Sequence, residues 1–241
     1  HMVSSASLLA DLNGVKRAVV VAPHPDDESI GCGGLLALLA GCGARVHVIV
    51  ATDGGASHPN SRLWRRQRLA RVRRSETTDA VQRLGISARQ VTFLDLRDGD
   101  LPTRGSEGWC SARARLHKRL KAERPDLLLL PWRRDPHADH RAVSAMALEC
   151  LGQLVPRPRV LEYPVWLDEN GASSDYPDPQ RFRCIEVPVE PVLPAKRAAI
   201  AAHRTQTTDL VHDDPDGFRL APAVVERALA PVERYFEAIW P

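Results

Sequence analysis

Aromatic residues make up only 5% of this 241-residue chain, and lysine is nearly missing, confined to Lys16, Lys118, Lys121 and Lys196. With a net charge of +3 and few rings to stack on bases, the chain has no footing for nucleic-acid binding driven by bulk charge. No apolar stretch reaches the roughly 18 residues that a membrane-spanning helix needs. No basic segment followed by an apolar run opens the chain, so no signal peptide is expected. The cysteines (Cys32, Cys42, Cys110, Cys150 and Cys184) are odd in number and scattered, without a Cys-x-x-Cys pair. That argues against a disulfide framework and against a cysteine zinc knuckle, and makes a reducing, cytoplasmic setting the expectation. His1 and Met2 read as a cloning remnant and carry no weight in the fold.

What is present is a hydrophobic fraction of 44%, enough for a real core, and a length that suits one domain over residues 1–241. Short apolar runs at Arg17–Ala22, Val46–Ala51, Val91–Leu94 and Leu127–Leu130 read as buried strands. Helices are expected over Glu28–Gly41, Ser61–Leu84, Trp109–Glu123 and Ala138–Leu151. Later strands are expected at Val160–Trp166 and Arg183–Val189, with a polar, proline-rich loop over Asn170–Gln180. Two helices, Pro194–Thr205 and Ala223–Ile239, are expected to finish the chain. Strands alternating with helices at this spacing predict an α/β fold, a Rossmann-like, mainly parallel sheet with helices on both faces. Ligands of such sheets bind beyond the carboxyl ends of the strands.

Two polar clusters fall where that rule points. Pro23-His24-Pro25-Asp26-Asp27-Glu28 follows the first strand. A histidine and a carboxylate three residues apart can converge on one ion, and of two adjacent aspartates one can hold metal while the other faces water. The same residues could instead cap the following helix and complement its dipole. Asp135-Pro136-His137-Ala138-Asp139-His140 follows the fourth strand, again with ligand chemistry. Clusters at the ends of two parallel strands favour a joint metal site. Mixed imidazole and carboxylate donors suit Zn2+, with Fe2+ or another divalent ion also compatible. A catalytic zinc site uses three protein ligands and an open position. The clusters offer more candidates than three.

Read from Ala22, the first cluster resembles the A-x-H-P-D-D-E signature of the LmbE/PIG-L-like family of zinc-dependent N-acetylglucosaminyl deacetylases. His137-Ala138-Asp139-His140 resembles that family's H-x-D-H signature, and Lys196, Ala199, His203 and Gln206 are similar to a looser third pattern. The resemblance covers essentially the whole chain in order and implies an LmbE-like fold. It implies that His24, Asp27 and His140 are the metal ligands and that Asp26 is the general base. It also implies that His137 stabilises the oxyanion and that Asp139 orients a histidine. Ala138 stands where proline is usual and Thr205 where serine is usual; neither removes a catalytic atom. The implied reaction is hydrolysis of the N-acetyl amide of a small amino sugar or sugar conjugate. The partner is then a small N-acylated molecule, with neither nucleic acid nor membrane; a homo-oligomer is compatible with the sequence.

Other features carry two readings each. Gly31-Cys32-Gly33-Gly34 lacks the order of a phosphate loop and fits close helix packing. Seven arginines lie between Arg62 and Arg74. Such a run is ordinarily a solvated face, but Arg73 resembles a substrate-facing arginine of the family. Asp98-Gly99 is an ordinary turn or, by the same resemblance, a substrate contact. Asp53-Gly54 is similarly ambiguous. His203 is a pocket or a helix-surface residue, whereas His47 and His117 read as structural. Two competing functions remain at this stage: a metal-dependent hydratase or lyase acting on a carboxylated substrate, and a binding module that uses the basic helix. The pocket walls are expected in the loops Gly55–Asn60, Gly99–Glu107 and Leu167–Gln180.

Overall fold

The computed structural model describes residues 14–239; His1 and Met2 lie outside them. Five parallel strands form the centre of the sheet: β1 (Arg17–Ala22), β2 (Arg45–Thr52), β3 (Val91–Leu96), β4 (Leu127–Pro131) and β5 (Arg159–Tyr163). Two further strands, β6 (Phe182–Pro188) and β7 (Val232–Ala238), add antiparallel to one another, with β7 pairing β5, so the full order is β3-β2-β1-β4-β5-β7-β6. The chain direction of this winding reverses between β1 and β4, the crevice where doubly wound sheets bind ligands.

Residues alternate along β1 between two cores. Ala18 and Val20 pack with Leu35, Leu36 and Leu39 of α1 (Asp27–Gly41) and with Ala80 and Val81 of α2 (Arg66–Arg83). Val19 and Val21 pack with Leu116 and Leu120 of α3 (Trp109–Glu123) and with Val143 and Met146 of α4 (Ala138–Cys150). A strand covered on both faces has no polar side, which is why β1 and β4 read as unbroken apolar runs. The glycines after Ile30 serve close packing: a Cβ on Gly31 would stand 2.3 Å from the Tyr163 ring and one on Gly34 2.6 Å from Val189.

The chain ends differently from the sequence expectation. In place of one helix over Ala223–Ile239, a short helix (Pro222–Ala228) stops before Pro231, and β7 follows. Proline cannot continue a helix, and Val232–Ala238 carries an alternating pattern that buries Glu233 and Tyr235. Buried Glu233 is satisfied: it accepts from Gly34 N (2.7 Å), Leu35 N (2.8 Å), Lys196 Nζ (2.7 Å) and Tyr235 Oη (2.6 Å). Helix α2 begins at Arg66, not at Ser61, because the side chain of Asp213 accepts from Ser61 Oγ, Arg62 N and Leu63 N. Strand β5 stops at Tyr163, before Pro164, and leaves Trp166 outside the sheet. The other expected elements occur within a few residues of their reading. All five cysteines are unpaired, and among the described residues no helix is long and apolar enough to cross a membrane.

Candidate metal centre and catalytic cavity

The loop after β1 and the loop after β4 meet over the crevice. Asp27 opens α1 at its first turn, and its Oδ2 lies 3.2 Å from His24 Nδ1 and 3.2 Å from His140 Nε2. Three donors from both clusters thus converge on one point. The rings of His24, His137 and His140 stand 4.8–5.4 Å apart, centre to centre. His140 is fully buried, yet neither of its ring nitrogens makes a well-aligned hydrogen bond, although carboxylates stand near both. A buried imidazole left in this state is costly unless something else takes a lone pair. The orphaned nitrogen, the shared carboxylate and the histidine-rich donor set all fit a metal ion.

The outer partners of these histidines are also in place. His24 Nε2 contacts Asp139 Oδ2 at 3.0 Å and Asp98 Oδ1 at 3.3 Å. Asp139 Oδ2 is fixed in turn by Gly99 N at 2.9 Å, and Asp98 Oδ2 by Ala56 N at 2.8 Å. Burial opposes charging of His24, but Asp139, Asp27 and Asp98 outweigh it and hold the imidazole well above its ordinary value. His140 behaves alike: burial lowers it, while Asp27 and Asp135 raise it to about 9.

Asp26 sits beside the converging donors in a left-handed conformation with φ of 119°, a backbone state that costs non-glycine residues on the order of 1–3 kcal/mol. Its neighbours hold it there. Its N–H donates to Glu28 Oε2 (3.0 Å), and its carbonyl accepts from Ser29 N (2.9 Å) and Ile30 N (3.0 Å). Arg73 fixes the side chain: Nη2 reaches Asp26 Oδ2 at 3.1 Å and also the Pro25 carbonyl, while Nη1 donates to Gly54 O at 2.8 Å. Gly54, at φ of 65°, is needed here, since a Cβ would stand 2.8 Å from the Pro25 ring. Burial raises the Asp26 carboxyl to about 7, against the opposing pull of Arg73. A carboxyl poised near neutrality is suited to proton transfer.

His137 caps α4, and its Nδ1 accepts from Asp139 N at 3.2 Å. Burial and the neighbouring His24 and His140 lower its pKa. With Nδ1 accepting, the ring proton lies on Nε2, which is free to donate a hydrogen bond.

Not every sequence candidate faces the cavity. Its volume is about 510 Å³, and its walls include His24, Asp26, Asp27, Arg73, Asp98 and His137. His203 is fully buried behind it, with Nε2 on Glu28 Oε1 at 2.9 Å and near Ser29 Oγ at 3.3 Å. Arg73 reaches the cavity with its guanidinium already engaged. Asp53 ties the rim together, accepting from Gly55 N, Asp98 N and Arg66. Thr205, where the family pattern has serine, keeps the hydroxyl donor: its N and Oγ1 hold Glu76 at 2.9 and 2.6 Å. His47 is structural, bonded to Thr92 Oγ1 at 2.8 Å.

Three residues were missed by reading the sequence. Asp135, quoted within the second cluster but given no role, is fully buried between His140 and Trp166. Its position opening a histidine-rich loop was the available signal. Trp166 and Phe218 line the cavity. Nothing in the sequence marks them, because the loops that carry them meet only in the fold.

A Rossmann-like sheet with a histidine and carboxylate centre at its switch point defines an α/β protein built to hold a metal ion. The chain belongs to the GlcNAc-PI de-N-acetylase (PIG-L) family, whose pattern it matches over residues 19–151. Diacetylchitobiose deacetylase of Thermococcus kodakarensis is 30% identical over 146 residues, 58% of this chain and 50% of that protein. 4-Oxalmesaconate hydratase of Pseudomonas putida is 28% identical over 137 residues, 56% of this chain and 51% of that one. This chain therefore aligns with about half the length of these two relatives. The solved N,N'-diacetylchitobiose deacetylase of Pyrococcus horikoshii has the same fold, with a TM-score of 0.70 at 22% identity over 99% of this chain and 94% of that one.

Proposed function

We propose that this protein is a zinc-dependent N-deacetylase that hydrolyses the N-acetyl amide of a small amino sugar or sugar conjugate. The observation that carries the reading is Asp27 Oδ2 standing 3.2 Å from both His24 Nδ1 and His140 Nε2, with Asp26 beside them in the same cavity. His24, Asp27 and His140 would hold the ion, which when bound supplies Lewis acidity to water and to the amide carbonyl. Asp26 takes the proton of the attacking water, a role supported by its pKa of about 7. His137 donates its Nε2 proton in a hydrogen bond to the oxygen that gains charge in the tetrahedral intermediate. As that intermediate collapses, Asp26 returns its proton to the leaving nitrogen, so an amine and a carboxylic acid result, and the acid then loses its proton to the amine or to solvent. Asp139 keeps His24 oriented, and Arg73 aims Asp26. The unpaired cysteines suit a reducing compartment.

The test incubates zinc-loaded protein with N-acetylated amino sugars and measures free acetate and free amine. Both are expected in equal amounts. A second reading, hydration of a small carboxylated substrate, is favoured by the relative named as a hydratase. Against it, Arg73, the one arginine among the described residues that line the cavity, is engaged by Asp26 and two carbonyls. Addition of water to a carboxylated alkene without acetate release would establish that reading instead.

A further inference from the structure

Beside Asp26 and His137, two aromatic residues line the same cavity. Trp166 and Phe218 meet edge to face, with ring centres 5.7 Å apart at 84°. Phe218 is 40% exposed, so its ring is open to contact from solvent. Its backbone is nevertheless anchored. Phe218 N donates to Ser57 O at 2.7 Å, and the segment leading to it is held by Asp214, which accepts from Asn60 N at 2.9 Å. Trp166 N donates to Asp135 Oδ2 at 3.1 Å, and its ring rests against the cluster of Ile30, Ile200, Leu220 and Val224. Two aromatic rings thus reach the cavity from separate loops whose backbones are anchored.

Charge narrows what could meet them. The cavity is lined by three carboxyl groups, Asp26, Asp27 and Asp98, and its guanidinium is already engaged. Outside the centre itself, no lysine or arginine among the described lining residues is free to meet a phosphate or carboxylate on the substrate. A ring with an apolar face finds an edge-to-face pair and loses little on leaving water.

We propose that Trp166 and Phe218 form an aromatic subsite that takes a neutral ring with an apolar face, attached to the N-acylated sugar. Either an aromatic aglycone or the CH face of a second sugar has this chemistry. The inference rests on the reading of the cavity as an amide-hydrolysing site on amino sugars. It adds that the substrate is an uncharged conjugate, not a free monosaccharide or an anionic one.

The experiment compares N-acetylglucosamine as its methyl glycoside, phenyl glycoside, β-linked disaccharide N,N'-diacetylchitobiose and 1-phosphate, using zinc-loaded protein. Acetate release gives kcat and KM, and calorimetric titration gives Kd independently of turnover. The phenyl glycoside or the disaccharide is expected to exceed the methyl glycoside by about tenfold in kcat/KM, mainly through KM, and in affinity. Which of the two is preferred tells an aryl group from a second sugar. Phe218→Ala and Trp166→Ala are expected to bring that ratio close to one. Phe218→Ala is the safer variant, since its exposed ring supports no core, and Phe218→Tyr should restore the preference.

Equal kcat/KM and Kd across the neutral series, or a preference for the 1-phosphate, would overturn the subsite. So would variants that lower every substrate alike. A binding preference for ring-bearing ligands without any acetate would uphold the subsite and sink the deacetylase reading. Acetate release without preference would do the reverse.

Discussion

Asp135 Oδ1 lies 3.4 Å from His140 Nδ1, and both side chains are wholly withdrawn from solvent. The other carboxylate oxygen accepts the backbone N–H groups of Val165 (3.2 Å) and Trp166 (3.1 Å), while Oδ1 also accepts from His137 N (3.0 Å). One acidic group therefore touches a proposed metal ligand, the loop of the proposed oxyanion donor and the backbone of the aromatic wall of the cavity. Partners that orient a ligating histidine commonly matter 10–100-fold for metal affinity. Asp135→Asn is expected to weaken zinc binding by roughly that factor, measured by competition with a chromogenic chelator. Unchanged affinity would mean that His140 is oriented without it.

The base assignment is tested by Asp26→Asn. The amide keeps the size of the side chain but cannot take a proton. Zinc content should stay near one equivalent, while kcat falls by about 10²–10⁴-fold. Near wild-type turnover with metal bound would remove Asp26 from the reaction.

Arg73 should set the pH at which that base works. Asp26 must be ionised to accept a proton, and the adjacent guanidinium favours the ionised form against burial. Removing the cation raises the pKa further. The acidic limb of kcat/KM against pH should therefore move to higher pH in Arg73→Met, with activity at low pH lost first. An unmoved limb would show that another group governs it.

Metal should also stabilise the fold, because an ion that binds only the folded state adds RT ln(1 + [L]/Kd). At a free zinc concentration of 100 Kd the gain is about 2.7 kcal/mol. Thermal unfolding with zinc, and then with excess chelator, should show a higher midpoint for the loaded protein. Equal midpoints would argue against a specific site.

Glu28 and His203 form a fully buried pair at 2.9 Å, behind the loop that carries Asp26. Burial opposes charging of His203, but Glu28 prevails and holds its pKa above the ordinary value. Glu28→Ala would leave that buried imidazole without its carboxylate partner and free the strained Asp26 backbone. A loss of about 3–5 kcal/mol in unfolding free energy is expected, read from denaturant titration.

By itself the sequence determined the parallel core and the location of the two polar clusters. The apolar runs of β1 and β4 had no polar face, so they had to be covered on both sides. The polar clusters directly after them had to emerge at the same edge of the sheet. The family resemblance then separated Asp26 from Asp27 and His137 from His140, which spacing alone could not do. Local pattern failed at Val232–Ala238, where burial of Glu233 and Tyr235 in a sheet outweighed a helical reading. It failed too for the surroundings of the centre. Asp135, Trp166 and Phe218 lie tens of residues apart in the chain, and so do Glu28 and His203. Their joint roles follow from contacts between loops, which carry no periodicity. Tertiary structure alone decided that Arg73 holds Asp26, that His203 lies behind the cavity, and that Trp166 and Phe218 share its wall.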